Sequence, residues 1–175
     1  MSERDPLAGE YAVLCLLALR PMHGYEMLTF ITDEGLDEVC PVEQSTLYTY
    51  LRNLEARALV SWTEERVGLR PPRKTFALTA SGRDLIDRWL RAPVTRMRET
   101  RLELLVKLFF LDRLDPPARR LLLDGQVAAC QRYLGVLDAR PQATDFQRLV
   151  VASKRSAAEA TLHWLKSYTP AGGPR

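Results

Sequence analysis

The chain has few of the residues that build disulfide frameworks and metal sites. Its 175 residues include three cysteines and two histidines. Cys15, Cys40 and Cys130 are odd in number and share no short spacing, so we interpret them as small buried side chains. His23 has no ligand partner at a suitable spacing, and His163 lies in a distant part of the chain. We therefore expect neither a metal nor a cofactor.

Long apolar runs and catalytic motifs are also missing. The longest apolar stretch, Tyr11 to Leu19, is too short to span a bilayer and follows acidic residues rather than a basic signal-peptide start. We therefore expect a cytoplasmic protein with no membrane partner. The sequence contains no G-x-S-x-G, P-loop, H-E-x-x-H or dinucleotide fingerprint. Because catalysis has no visible machinery, we do not expect an enzyme.

Positive charge is scarce for a protein that binds a polyanion. The net charge is +3, and residues 1–92 carry eleven basic against fourteen acidic residues. One stretch is nevertheless basic and free of acids, and it contains Arg66, Arg70, Arg73 and Lys74. The charge pattern therefore predicts a local basic edge rather than a basic domain.

The first fifty residues have the pattern of a helix-turn-helix unit. A helix is predicted from about residue 9 to 19, ended by Arg20-Pro21, and a second from about 24 to 34, closed by Gly35. We expect the second helix to direct four residues toward the core: Tyr25, Met27, Leu28 and Ile31. Pro41 precedes a third helix, so three helices fall within a helix-turn-helix length.

The third helix, residues 45–59, has two chemically different faces. One stripe is apolar and holds Leu47, Leu51, Leu54 and Ala58. The opposite face is small or polar and holds Ser45, Thr49, Arg52 and Ala56. Short hydroxyls, a methyl and one guanidinium suit the major groove of DNA, and Tyr48 and Asn53 flank them within reach of phosphates. The alternative is an ordinary amphipathic helix with a solvated face.

A β-hairpin with a basic tip is predicted next. Residues 60–67 alternate apolar and polar side chains, as a half-buried strand does, and residues 74–79 supply a partner. Between them Pro71-Pro72 stiffen a turn that presents Arg70 and Arg73 outward. We interpret this hairpin as a wing that contacts phosphates or the minor groove. The alternative is an unattached basic loop.

A capped helix completes the first predicted domain, residues 1–92, which we call the head; the rest of the chain, residues 93–175, is the tail. Thr79 to Gly82 have the composition of a helix start, and apolar residues recur at helical spacing toward Ala92, before Pro93. The predicted fold is mainly α with a small β-hairpin wing. We expect a winged helix-turn-helix DNA-binding domain over residues 1–92 and a helical dimerisation domain over residues 93–175.

Five strings in this order resemble the PadR family of winged-helix transcriptional regulators. They are P-M-H-G-Y-E-M (21–27), S-T-L-Y-T-Y-L-R-N-L-E (45–55), A-L-V (58–60), P-R-K-T-F-A-L-T-A-S-G (72–82) and K-L-F-F-L-D-R-L (107–114). The chain departs from the family where Ser45 replaces a usual glycine, Thr49 a proline and Phe76 a tyrosine. Two of these departures lie on the predicted DNA face, so the operator sequence is not predictable.

The resemblance also implies site residues. Thr46, Tyr48 and Arg52 would contact operator DNA, with Tyr25 near a phosphate. Arg73 and Lys74 would serve the wing, and His23 and Gly24 would shape the turn. Some family members release DNA when they bind aromatic or drug-like molecules, for which the candidates here are Trp89, Phe109, Phe110 and Trp164. The alternative for these aromatic residues is core packing.

The tail is predicted to hold two protomers together. Residues 102–111 are apolar except for Glu103 and Lys107, four apart, which predict one solvent-exposed edge on a buried helix. Helices starting at Asp115-Pro116 and Thr144-Asp145 carry heptad-like seams. The predicted dimer residues in these seams are Leu123, Val127, Leu134, Leu137, Phe146, Val150, Ala157 and Trp164. The alternative is packing within one chain.

These predictions together describe a homodimeric transcription factor, more readily a repressor than an activator. Two heads related by a two-fold axis would read an inverted repeat in double-stranded operator DNA. The competing function is a helical adaptor that binds another protein and uses the winged helix without DNA.

Overall fold

The structure is mainly helical, with a small antiparallel sheet. The computed structural model describes residues 5–65 and 73–168. Its α-helices are α1 (Ala8–Leu19), α2 (Gly24–Asp33), α3 (Gln44–Ala56), α4 (Ala80–Arg91), α5 (Leu105–Leu114), α6 (Pro116–Asp138) and α7 (Asp145–Ser167). Its strands are β1 (Met22–His23), β2 (Val60–Glu65) and β3 (Arg73–Leu78). Over these same ranges, none of the helices combines the length and the apolar character needed to cross a membrane. The predicted fold class is confirmed.

Helix α1 is the centre of the core. Residues 11–17 are all buried, because α3, α4, α5 and β3 pack around the helix. A helix that is apolar on every side is stable only when other elements cover every side. The leucines at 47, 51 and 54 pack into this same core, which continues without a break into α5 and α6.

The wing belongs to a three-stranded sheet. The strand order is β1-β3-β2, and both pairs are antiparallel. The sequence does not reveal β1, because two residues are too few to show alternation. His23 Nδ1 lies 3.1 Å from Thr75 Oγ1, which ties β1 to β3. The sheet therefore connects the turn before α2 to the wing.

Two expectations for the head are wrong in detail. Ala58 does not continue the apolar stripe of α3, because the helix ends at Ala56 and Ala58 has a left-handed φ of +54° that turns the chain into β2. Tyr25 does not face the core; it is 78% exposed, and Phe30 is one of the residues that pack inward instead.

The start of α4 is held by Thr79 and depends on a glycine. Thr79 Oγ1 accepts a hydrogen bond from Gly82 N at 3.0 Å, as the predicted cap requires, and donates one to Ala58 O at 2.8 Å. A Cβ on Gly82 would lie 2.2 Å from Leu59 O. The first turn of α4 therefore approaches the start of β2 more closely than any side chain permits.

Lys107 contradicts the predicted solvent-exposed edge. Its side chain is 1% exposed, and its Nζ donates a hydrogen bond to Ala92 O at 2.7 Å. The predicted pair with Glu103 does form, at 2.7 Å, and Nζ also lies 4.7 Å from the Trp89 ring centroid. Burial lowers the pKa of Lys107, and Glu103 opposes that shift. The pair faces the end of α4 because the last helical carbonyls there need a donor.

The joint between head and tail is closed by polar contacts as well as by the core. The Gln126 side chain accepts a hydrogen bond from Val94 N at 2.7 Å and donates one to Val94 O at 3.0 Å, in a fully buried setting. Arg113 contacts Glu34 at 2.5 Å, which links α5 to the end of α2. Beyond this joint α6 and α7 form a helical hairpin. Their predicted caps, Asp115 and Thr144, are present.

The close approach at Gly82 generates a stability prediction. Gly82→Ala should lower the free energy of unfolding by about 1 to 3 kcal/mol, because the new methyl group meets a backbone carbonyl that cannot move aside. Urea denaturation followed by circular dichroism measures this loss. The matched control is Gly135→Ala in α6, where a Cβ meets nothing within 4 Å. That variant should gain up to about 1 kcal/mol from helix propensity. Equal effects of the two substitutions would contradict the packing at Gly82.

Candidate nucleic-acid interface

Helix α3 presents the face that the sequence predicts. Ser45, Thr49, Arg52 and Ala56 are exposed, whereas Leu47, Leu51 and Leu54 are buried. Thr46 is half-buried at the edge of the exposed strip. The strip has no bulky side chain apart from Arg52, so a groove of limited width accommodates it.

Side-chain hydrogen bonds orient the exposed strip. Thr49 Oγ1 donates to Ser45 O at 2.9 Å and accepts from Arg52 Nη2 at 3.2 Å. The hydroxyl therefore fixes one edge of the guanidinium, and the remaining N–H groups of Arg52 stay available to an external acceptor. A proline at position 49 would have no hydroxyl, so this orientation depends on a residue in which the chain departs from the family that it resembles.

Two tyrosines flank the strip beside a small cleft. Tyr25 and Tyr48 are 78% and 42% exposed, and with Arg73 and Lys74 they line a cleft of about 470 Å³. A Cβ on Gly24 would lie 2.8 Å from the Tyr48 hydroxyl oxygen, so the tyrosine is placed against a position that has no side chain. Two hydroxyls and two cations around one concave surface are the groups that bind phosphate oxygens.

Asn53 does not extend this surface toward phosphates. Its Nδ2 donates to Glu10 Oε1 at 3.0 Å, and the other carboxylate oxygen of Glu10 accepts from Leu7 N at 2.9 Å. Asn53 therefore connects α3 to the start of α1. Glu10 is itself buried, and the sequence shows no signal for this contact, because the two residues lie 43 positions apart.

The base of the wing contains a contact that the sequence analysis missed. Arg73 and Lys74 are exposed on β3, while the predicted Arg70 lies outside the described residues. The Lys74 Nζ lies 3.7 Å from the centroid of the Trp62 ring, and Trp62 Nε1 donates to Glu55 Oε1 at 2.7 Å. The strand alternation placed Trp62 with Val60 on the apolar side of a half-buried strand, whereas the structure leaves Trp62 37% exposed. Its hydrogen bond to Glu55 shows that it also reaches α3.

The four aromatic candidates for an effector site do not share one cavity. Trp89 stacks on Tyr11 with ring centroids 4.3 Å apart, and both line a groove of about 740 Å³. Phe110 is fully buried, and Phe109 packs edge-on against it and against Phe30. Trp164 lies on α7, near Tyr168. Of the four, only Trp89 lines this groove.

The groove is lined by both head and tail. Tyr11 and Trp89 come from α1 and α4 of the head. Arg96, Glu103 and Lys107 come from the part of the chain after Val94, in the tail. Burial, with the Asp5 carboxylate nearby, raises the pKa of Tyr11 to about 12, so its hydroxyl is neutral. The groove therefore combines an aromatic pair with charges of both signs.

The predicted dimer residues separate into an inward and an outward set. On α6, Leu137 is buried, Leu123 and Val127 pack against the core of the same chain, and Leu134 is half-buried. On α7, Phe146 is 73% exposed, Ala157 and Trp164 are also exposed, and Val150 is half-buried. The α7 residues that pack inward include Val151, Ala158 and Leu165. At 100° per residue, they lie about a third of a turn from the predicted seam.

Comparisons with known proteins agree with this architecture. Residues 13–88 match the transcriptional regulator PadR-like family, and residues 100–170 match the virulence activator alpha C-terminal family. An uncharacterised 37.1 kDa protein from a Streptomyces fradiae transposon is 40% identical over 80 residues, or 46% of this chain. The match spans only 21% of that protein.

Three solved structures to which the chain is similar have low sequence identity to it. Bacillus subtilis PadR in complex with operator DNA has a TM-score of 0.48 at 20% identity, covering 90% of this chain and 95% of that one. A Streptococcus mutans UA159 protein has a TM-score of 0.45 at 19% identity, covering 90% and 96%. A PadR-like regulator of Bacillus cereus has a TM-score of 0.43 at 19% identity, covering 95% and 96%.

The family match covers α2, α3, the sheet and most of α1 and α4, which are the elements that build the exposed strip and its flanks. In the residues that the structure describes, no three or more side chains of the types that bind metals lie close together, at this surface or elsewhere.

The family match shows that the chain carries a PadR-like transcriptional regulator domain in residues 13–88.

Proposed function

We propose that this protein is a DNA-binding transcriptional regulator that represses by occupying a promoter as a homodimer. The observation that carries the proposal is the exposed strip on α3, backed by buried leucines and flanked by Tyr25, Tyr48 and the bases of β3. Such a regulator would act in the cytoplasm, on double-stranded DNA, and it needs no catalytic group.

The chemistry of the surface assigns a part to each side chain. Helix α3 enters the major groove, where Arg52 donates two hydrogen bonds to the O6 and N7 of a guanine and Ser45, Thr46 and Thr49 contact neighbouring base edges. The tyrosine hydroxyls, Arg73 and Lys74 bind phosphates on either side and hold the helix in register. We assign Arg70 to the same phosphate contacts on its sequence position alone.

The outward face of α7 supports a two-fold dimer. Phe146, Leu149 and Trp164 expose apolar surface along one side of the helix, and small residues between them permit close approach of a second helix. Solvent-exposed apolar residues aligned over a whole helix are costly unless a partner covers them. Two heads related by this contact would read two half-sites of an inverted repeat about one turn of DNA apart.

Release from DNA is assigned to the groove beside Trp89. A planar ligand in this groove contacts α1 and α4 of the head together with the chain that leads into α5. Such a ligand releases the protein from DNA only if it has a higher affinity for the arrangement in which the spacing of the two heads does not fit DNA than for the arrangement in which it does. This proposal keeps Trp89 as an effector contact and assigns Phe109 and Phe110 to the core.

Arg52 provides the test of DNA reading. Footprinting of the chain's own upstream DNA at two salt concentrations identifies the operator, and fluorescence anisotropy then measures affinity. Arg52→Ala should weaken operator binding about 5- to 150-fold, the range of one good guanine contact. Arg132→Ala on α6 removes the same charge from an exposed position in the tail and should leave affinity unchanged. A wild-type protein that protects no site would support the adaptor function instead.

The dimer proposal is tested at α7. The double variant Phe146→Glu and Leu149→Glu should convert the protein from a dimer to a monomer of 19.9 kDa, because two glutamates from each protomer would be buried across the contact. Light scattering after size-exclusion chromatography gives the mass. The control is Ala152→Glu. Ala152 is exposed and lies about a quarter of a turn around the helix from the direction midway between Phe146 and Leu149, so this variant should remain dimeric. A wild-type monomer, or a dimer that survives both glutamates, would rule out this face.

The effector groove is tested with two tryptophan variants. Calorimetric titration of aromatic acids and amines should find ligands that bind the wild type and release it from operator DNA. Trp89→Leu should weaken that binding about two- to tenfold, on the scale of one lost aromatic contact. Trp164→Leu should not change it, because this ring lies outside the groove. Loss of binding in Trp164→Leu alone would place the ligand at α7.

A further inference from the structure

Trp62 joins the wing to helix α3. Its indole Nε1 donates a hydrogen bond of 2.7 Å to Glu55 Oε1, one residue before the end of α3. The face of the same ring lies 3.7 Å from the Lys74 ammonium. A single side chain of β2 therefore contacts both α3 and β3.

The sheet register accounts for this meeting. Trp62 pairs with Phe76, and Glu64 pairs with Lys74, so Trp62 and Lys74 are diagonal neighbours on one face of the antiparallel pair. Phe76 is buried, which shows that this face is directed toward the protein. Lys74 extends the same row toward the tip. Lys74 therefore lies on the same face of the sheet as buried Phe76, at the end of the sheet where that face is exposed to solvent.

We propose that Trp62 and Glu55 are positioning residues that set the wing, and with it the Lys74 charge, at a fixed place relative to α3 for phosphate binding. The inference rests on the proposed DNA-binding function. Trp62 acts through Lys74 and Glu55 and needs no contact with DNA of its own.

The chemistry of the contact suits this purpose. Lysine is a flexible cation, and a ring face attracts its ammonium without a competing oxygen acceptor. The N–H groups directed away from the ring then remain available to phosphate oxygens. The hydrogen bond to a carboxylate is stronger than one to a neutral acceptor, so Glu55 fixes the ring that holds the lysine.

Core packing alone does not account for the contact. Trp62 is 37% exposed and Glu55 and Lys74 are exposed, so the contact lies at the protein surface and not inside the core. Glu55 also places a negative charge beside the strip of α3 that the proposal assigns to DNA, about a quarter of a turn from the centre of the strip, where it repels phosphates. A glutamate at this position favours DNA binding only if its hydrogen bond to Trp62 contributes more to affinity than the repulsion between its charge and the phosphates removes.

The test uses two substitutions that remove the same charge. Glu55→Gln keeps an oxygen acceptor for the indole, whereas Glu55→Leu removes it. If Glu55 acted only as a charge, both variants would bind operator DNA more tightly than the wild type. If Glu55 positions Trp62, Glu55→Leu should bind about two- to fivefold more weakly than Glu55→Gln, on the scale of one exposed cation–π contact. Fluorescence anisotropy with the full chain measures both.

A wing contact with phosphates has two further signatures. Compared with Glu55→Gln, Glu55→Leu should have a lower affinity for operator and for unrelated duplex DNA by the same factor, and its salt dependence should be weaker by about one phosphate contact. Trp62→Leu should show both effects when compared with the wild type. In a Lys74→Ala background, Glu55→Leu and Glu55→Gln should bind equally, because the cation that Trp62 and Glu55 position is already absent.

Measurements on the free protein separate failure of this inference from failure of the proposed function. The Trp62 indole N–H signal in ¹H–¹⁵N spectra should shift in Glu55→Leu and stay near its wild-type position in Glu55→Gln, with unchanged melting temperatures for both. If the wild type binds DNA and the two Glu55 variants bind equally, the positioning proposal is overturned. If the wild type binds no duplex at any salt concentration, the proposed function fails, and the inference fails with it.

Discussion

Burial of three leucines on one side of α3 is the constraint on which the rest of this structure depends. Leu47, Leu51 and Leu54 insert into a core centred on α1, and burying such side chains contributes on the order of 1.5 to 3 kcal/mol each. Because the helix is rigid, this fixes the direction of the opposite face, with its two hydroxyls and its guanidinium. The contacts of Asn53 with Glu10 and of Glu55 with Trp62 then fix the last turns of the helix. The face is therefore positioned by packing behind it, and its own side chains are left to the ligand.

The sequence was informative wherever a contact is local or periodic. The faces of α3 follow from helical spacing, and the caps at Thr79, Asp115 and Thr144 follow from side chains that bond three residues ahead. The resemblance to a known family added Tyr25 as a phosphate contact, and it assigned Lys74, which the charge pattern had already placed in the basic edge, to the wing. Pattern alone even directed Tyr25 inward, because an aromatic ring at an apolar spacing has the same signature whether it meets the core or the solvent.

Contacts between distant residues were beyond that reasoning. Lys107 forms the predicted pair with Glu103, yet its ammonium is buried, since the unsatisfied end of α4 lies above it. The seams of α6 and α7 show a related ambiguity. Both have heptad-like spacing, but the α6 residues mostly pack within the chain and the α7 residues mostly face outward. Spacing identifies an apolar face and does not identify what covers it.

The clasp that Gln126 makes on Val94 has a mechanical consequence. One amide side chain occupies both the N–H and the C=O of Val94, as a neighbouring strand would, at the point where a linker between two domains is usually loose. Lys107 of α5 donates a hydrogen bond to the carbonyl of Ala92, two residues before Val94. The backbone of the segment after α4 is therefore hydrogen-bonded to side chains of both α5 and α6. These contacts hold the head and the helical hairpin together, so a tilt imposed at the far end of α6 would be transmitted toward α3.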